Sequence, residues 1–207
     1  MLYISRILRY QRVIHQKPFQ LLLRNWHKES SNLIPVSWQK PKIGWTKLNF
    51  DGSCKCKTGK SSIGGIFRNH EAEFLLGYAE SIEKSNSTIA ELAALTRGLE
   101  LTLENGWEEV WLEGDSKSLV EIIVQKRVVR CVEVQKQINC INLLIPKIKS
   151  CIVTHVFREG NRAADKFAQL GHHLKKPQIW RNDPPKQVLR IVNEDAEGKT
   201  FFRKRYR

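Results

Sequence analysis

Four acidic residues stand apart from the other acids of this chain. Asp51 follows the alternating run Leu48-Asn49-Phe50, and Asp115 follows the apolar run Val110-Trp111-Leu112 and Glu113-Gly114. Glu91 sits between Ala90 and Leu92, and Asp165 follows Ala163-Ala164. Most of the remaining acids lie among lysines and other acids, where solvation accounts for them. Carboxylates in apolar or turn surroundings can do chemistry if they converge. A convergent set repels itself unless cations hold it together. Mg²⁺ suits that task, because it takes oxygen ligands, keeps several waters and accepts phosphate oxygens. Two such ions about 3.5–4 Å apart can clamp the attacking and leaving oxygens of a phosphodiester. A lone Asp51-Gly52-Ser53 also has a plainer reading, a turn aspartate bonding its own backbone, and convergence decides between the two.

The elements that would bring these acids together follow from the pattern of the middle of the chain. Residues 45–50, 63–68 and 73–81 read as three strands joined by short polar turns, an antiparallel meander. Leu48 and Phe50 alternate with Asn49 and Asp51, as on a strand with one buried face and the turn beginning at Asp51. Ser85-Asn86-Ser87-Thr88 supplies helix N-caps ahead of a helix over 89–105, stopped by Asn105-Gly106. A short strand over 110–113 leads through Gly114-Asp115-Ser116 into a helix over 117–125. A helix over 134–148, a strand over 152–157 and a helix over 161–170 complete the series. The sum is an α/β fold with a mixed five-stranded sheet, three antiparallel strands and then two parallel ones, flanked by helices. Asp51 and Asp115 then leave neighbouring parallel strands at the carboxyl edge, where open α/β sheets gather ligands.

The 207 residues suffice for one ordinary domain with extensions. We expect a basic N-terminal extension over 1–36, a domain over 37–172 and a basic, proline-containing tail over 173–207. The net charge of +14 divides as +5, +3 and +6 over these stretches, so the excess lies in the two ends. Basic ends suit a polyanion, nucleic acid above all, although solubilising disordered ends would look the same. Residues 1–36 are expected to stay out of the domain core. Residues 1–28 combine six basic residues with helically spaced apolar ones and no acid. That resembles an organelle transit peptide, while a plain basic linker fits equally. Five cysteines, an odd number at no zinc spacing, point to a reduced intracellular protein and not a secreted one. Nucleus or cytoplasm is expected, or mitochondrion or chloroplast if the leader is cleaved. No apolar run approaches 18 residues, so no membrane span is expected.

In order, Asp51-Gly52-Ser53, Ala90-Glu91-Leu92, Gly114-Asp115-Ser116 and Asn161-Arg162-Ala163-Ala164-Asp165 resemble the four motifs of type 1 ribonuclease H. The likeness is nearest to the plant reverse-transcriptase-like domains of retroelement origin. WQKPKIGWTKLNFDGS from Trp38 resembles their opening, HVFREGNRAAD from His155 their close, and IWRNDPPKQVLRIVNEDAEGK their tail. The resemblance implies a ribonuclease H-like fold and hydrolysis of the RNA strand of an RNA–DNA hybrid. It implies Mg²⁺ as cofactor, with Mn²⁺ an alternative and two ions present with substrate, held by Asp51, Glu91, Asp115 and Asp165. It also implies that Gly52 and Ser53 lie along the RNA strand, and that Asn86, Ser87, Thr88 and Ser116 approach the minor groove. Arg158 and Asn161 belong to the loop before the last aspartate, where many members carry a histidine and Arg158 would take part of its role. His155 reads as a strand residue. A monomer whose partner is the hybrid is expected. The alternative is a domesticated domain that binds nucleic acid or protein without turnover.

Overall fold

The computed structural model describes residues 33–55 and 57–205. Residues 1–32, Cys56 and residues 206–207, and with them the transit-peptide expectation for residues 1–28, lie outside the described residues. Two compact units are present, one of residues 37–200 and one containing residues 33–36 and 201–205. In the smaller unit, β1 (Leu33–Val36) pairs antiparallel with β8 (Phe201–Lys204), so the last residues of the expected N-terminal extension form a strand.

The larger unit is one six-stranded mixed sheet with helices on both faces. Its elements are β2 (Thr46–Lys55), β3 (Lys60–Arg68), β4 (Phe74–Ile82), α1 (Ser87–Glu104), β5 (Glu109–Gly114), α2 (Lys117–Val124), α3 (Val132–Leu144), β6 (Ser150–His155), α4 (Arg162–Gly171), β7 (Gln178–Arg181) and α5 (Lys186–Ala196). The strand order is β6-β5-β2-β3-β4-β7. β5 runs parallel to β2 and β6, and the other pairs are antiparallel. α3 stops at Leu144 because Pro146 lacks the N–H to continue it, and a 3₁₀ turn over Ile145–Lys147 follows. Among the described residues no helix is long and apolar enough to cross a membrane.

Three features differ from the sequence expectation. The sheet has six strands rather than five, because residues 178–181 add β7 to the free edge of β4. Beyond it, α5 lays Val188 and Val192 into a core of Ile66, Ala79, Ala163 and Phe167 on one side of the sheet. The larger core, on the other side, joins Leu48 and Phe50 to Leu92, Leu95 and Leu99 of α1 and to α3. Second, β2 does not end at Asp51. It runs on to Lys55, paired residue by residue with β3, and the turn falls over residues 57–59. Asp51 is nonetheless at an edge, because β5 accompanies β2 only as far as Asn49. Third, both faces of β2 are buried. Lys47 and Asn49, polar residues expected on a wet face, are as inaccessible as Leu48 and Phe50.

Candidate active site

The site assembles at the point where β2 outruns β5. Gly52 makes the close approach possible: a Cβ there would collide with the backbone of Ala90 and Glu91. Without one, the first turns of α1 press onto β2 and Glu91 arrives beside Asp51. α1 is started by Asn86, whose side-chain oxygen accepts from the Ile89 amide at 2.9 Å. Asp115 follows the last residue of β5, Gly114, which a Cβ would drive into the Phe50 ring. One carboxylate oxygen from each of Asp51, Glu91 and Asp115 lies within 4.8 Å of the others. Asp165, in the first turn of α4, stands beside this trio. Its oxygens accept from Arg158 Nη2 at 3.4 Å and Gln169 Nε2 at 2.8 Å.

The electrostatics are those of crowded like charges away from water. Burial first, then the charges of Glu91, Asp115 and Asp165, push the Asp51 carboxyl up to about 10. Burial and then Asp115 push Glu91 up to about 8, against the lowering effect of Asp51, the Gly52 amide and Arg158. Burial also raises Asp115, while Arg158 opposes the shift. The exposed Arg158 guanidinium is thus a cation set against several acids. Glu91 Oε2 is buried and has no hydrogen-bond partner. An orphaned carboxylate oxygen among two more carboxylates is a donor set fitted to a hard divalent cation. Asp51, Glu91 and Asp115 would hold such an ion, with Asp165 adjoining.

The other expected contact residues divide. Asn86, Ser87 and Thr88 are exposed at the start of α1, and Ser116 stands at the start of α2. Ser53 is partly exposed two residues beyond Asp51, and its Oγ lies 2.9 Å from His172 Nε2. Asn161 is different. Only 1 % exposed, it donates to the Phe50 carbonyl at 2.9 Å, and its Oδ1 accepts from Asn49. Its side chain ties α4 to β2 and cannot reach a ligand at the surface. His155 lies at the end of β6 with Nε2 3.2 Å from the Asp115 carbonyl oxygen.

Beneath the carboxylates lies a polar network that the sequence pattern did not single out. Asn49 donates to Glu113 at 3.0 Å and accepts from Trp38 Nε1 at 2.8 Å and Arg68 Nη2 at 3.0 Å. Lys47 Nζ meets Glu113 at 2.6 Å and sits 3.6 Å over the Trp111 ring, and burial lowers its pKa to about 8. Arg68, fully buried, stacks 3.7 Å over Trp38 and pairs at 2.8 Å with Asp195 of α5. The signal available in the sequence was the polar alternation of Lys47, Asn49 and Asp51 itself.

A mixed sheet of this strand order, with carboxylates meeting where its central strand outruns its parallel neighbour, defines the ribonuclease H-like class. The chain belongs to the reverse transcriptase-like family, the retroelement type of ribonuclease H domain, whose family profile matches residues 49–171. A relative in Arabidopsis thaliana, a ribonuclease H protein by name, is 26% identical over 165 residues. That match takes in 80% of this chain and 26% of the relative, so the chain spans about a quarter of the length of that protein. The ribonuclease H1 of the archaeon Halobacterium salinarum shares the fold at a TM-score of 0.59 and 20% identity, over 61% of this chain and 96% of its own. LC11 ribonuclease H1, solved in complex with an RNA/DNA hybrid, gives 0.57 and 20% over 62% and 96%.

Proposed function

We propose that this domain is a divalent-metal-dependent endoribonuclease that hydrolyses the RNA strand of RNA–DNA hybrids. The observation that carries the reading is the convergence of Asp51, Glu91 and Asp115 within 4.8 Å, with a buried oxygen of Glu91 left unpartnered. Turn aspartates have no reason to meet a helix glutamate in this way, and a set so repulsive calls for cations. Family membership and the hybrid-bound LC11 relative support the choice of substrate. Bound ions, Mg²⁺ or Mn²⁺, would neutralise the carboxylates and polarise the scissile phosphodiester and the attacking water.

The chain's own residues do the positioning. Asp51, Glu91, Asp115 and Asp165 hold the metal. Backbone amides around Gly52 and Ser53 lie along the RNA strand, where the 2′-hydroxyl distinguishes RNA from DNA. Asn86, Ser87, Thr88 and Ser116 face the minor groove. Arg158 screens Asp165 and Asp115. The test incubates purified protein and Asp51→Asn with labelled RNA–DNA hybrid, RNA duplex and DNA duplex, with Mg²⁺, Mn²⁺ or EDTA. Internal cuts in the RNA of the hybrid alone, abolished by EDTA and by Asp51→Asn, are expected. Binding of the hybrid with no cleavage in either metal would replace the proposal with a non-catalytic binding role.

A further inference from the structure

A second charged feature begins where the acidic site ends. Asp51, Ser53 and Lys55 alternate along β2 and so leave it on one face. Lys60 is the cross-strand partner of Lys55 and projects on that same face. The face belongs to α4: a Cβ on Gly64, the residue opposite Asp51, would run into Phe167 and Ala168. The end of α4 is fixed to it, with Ser62 Oγ donating to the Ala168 carbonyl at 2.6 Å and His172 on Ser53. Lys175 and Lys176 follow directly from there.

The β4–α1 loop closes the other side of the hairpin tip. Ser85 N donates to the Gly59 carbonyl at 3.3 Å, and Ser61 Oγ and Cys54 Sγ both contact the Ser85 carbonyl at 3.1 Å. Lys84 thereby lies over the turn at Gly59. Lys55, Lys57, Lys60, Lys84, Lys175 and Lys176 are all exposed, and among the described residues none of them makes an ion pair. Glu80 and Glu83, which precede Lys84, pair with none of them. Elsewhere Arg97, Lys117, Lys149, Arg162, Arg190 and Lys199 each meet a carboxylate. Unpaired lysines on this hairpin and on the segments packed against it favour a polyanionic backbone and gain from the release of its counterions.

We infer that the tip of the β2–β3 hairpin, with the end of α4, is a second grip on the phosphodiester backbone of the RNA strand, outside the reacting position. The inference rests on the hybrid-nuclease reading for its choice of strand. Lys55 lies four residues along β2 from Asp51, about 13 Å of strand. At about 3.4 Å of helix axis per nucleotide, that is on the order of four nucleotides from the scissile bond. The grip therefore acts only on hybrids that extend that far on one side of the cut. It reads phosphate charge rather than base identity, so it sets affinity and register without sequence preference.

The test is Lys55→Gln/Lys60→Gln, two changes at exposed positions, made in the full chain. Fluorescence anisotropy with Ca²⁺ in place of Mg²⁺ measures hybrid binding across a salt series. The loss of two phosphate contacts lowers the log–log salt slope by about 1.8 and weakens binding roughly tenfold at low salt. In cleavage assays the loss falls on KM rather than kcat, and disappears for hybrids cut back to two or three base pairs on the gripped side. An unchanged salt slope and Kd, in a variant that melts like wild type, would overturn the inference while leaving the nuclease reading intact. Equal weakening for short and long hybrids would overturn the placement of the grip. If wild type cleaves nothing, the nuclease reading falls, and the binding series still decides whether these lysines hold a hybrid.

Discussion

Replacing Asp51 by asparagine should make the metal-free protein more stable, and by an amount that grows with pH. The unfolded chain ionises Asp51 near 3.8, whereas burial and the neighbouring acids raise it to about 10 in the fold. Between these values the native state holds a proton that the unfolded state releases, so native stability falls as pH rises. Each pH unit in that window costs about 1.4 kcal/mol. At pH 7 the penalty has an upper bound of about 4 kcal/mol, reduced to about 2–3 when Asp51 and Glu91 share one proton between them. An asparagine side chain carries no such penalty and keeps an amide for the site. Denaturant unfolding in EDTA should find Asp51→Asn ahead of wild type by about 2–3 kcal/mol at pH 7 and by about 1 at pH 5. Near pH 4 the two should coincide. Mg²⁺ should then reverse the order, stabilising wild type as any native-state ligand does and the mutant far less. An asparagine advantage that is absent, or that does not change between pH 5 and 7, would refute the account of crowded carboxylates. A mutant less stable by about 1 kcal/mol at every pH, with no response to metal in either protein, would return Asp51 to the role of a turn residue.

Two further substitutions probe the architecture around the site. Asp195→Ala leaves the fully buried Arg68 without its carboxylate and should cost about 3–5 kcal/mol; Arg68→Met with Asp195→Leu should recover much of that, as a double-mutant cycle by denaturant unfolding will show. Gly52→Ala sets a methyl against the backbone of Ala90 and Glu91. It should cost about 1–3 kcal/mol and, by moving α1 off β2, weaken the Mg²⁺-induced rise in melting temperature more than an equally destabilising change remote from the site.

The acids were legible because their surroundings were wrong for solvated charges. Ala90 and Leu92 flank Glu91, alanines precede Asp165, an alternating apolar run precedes Asp51 and a strand end precedes Asp115. The topology followed, since a meander and two crossover helices leave few ways to arrange the central five strands. The network around Asn49 was not legible, for a physical reason. Alternation distinguishes polar from apolar faces, and a polar face is ordinarily wet. Here Trp38, Arg68, Glu113 and Asn161 cover it, from positions 11, 19, 64 and 112 residues away in the chain. No local pattern announces partners at such separations. α5 escaped notice similarly. Its apolar stripe is short, and Asp195, in Asn193-Glu194-Asp195, has the look of a surface acid until Arg68 is seen beneath it. Asn161 shows the converse, a polar residue in a motif whose work is internal.

The Arg68–Asp195 pair bears on what a shortened chain would lose. A chain ending after residue 172 would keep all four acidic motifs. It would lack β7 and α5, and with them the counter-charge for an arginine packed in the interior. Such a chain should be cleared by proteolysis before any substrate meets its carboxylates. The integrity of the fold is therefore written at position 195, outside the four acidic motifs, and a chain can keep Asp51, Glu91, Asp115 and Asp165 and still lose the interior that positions them.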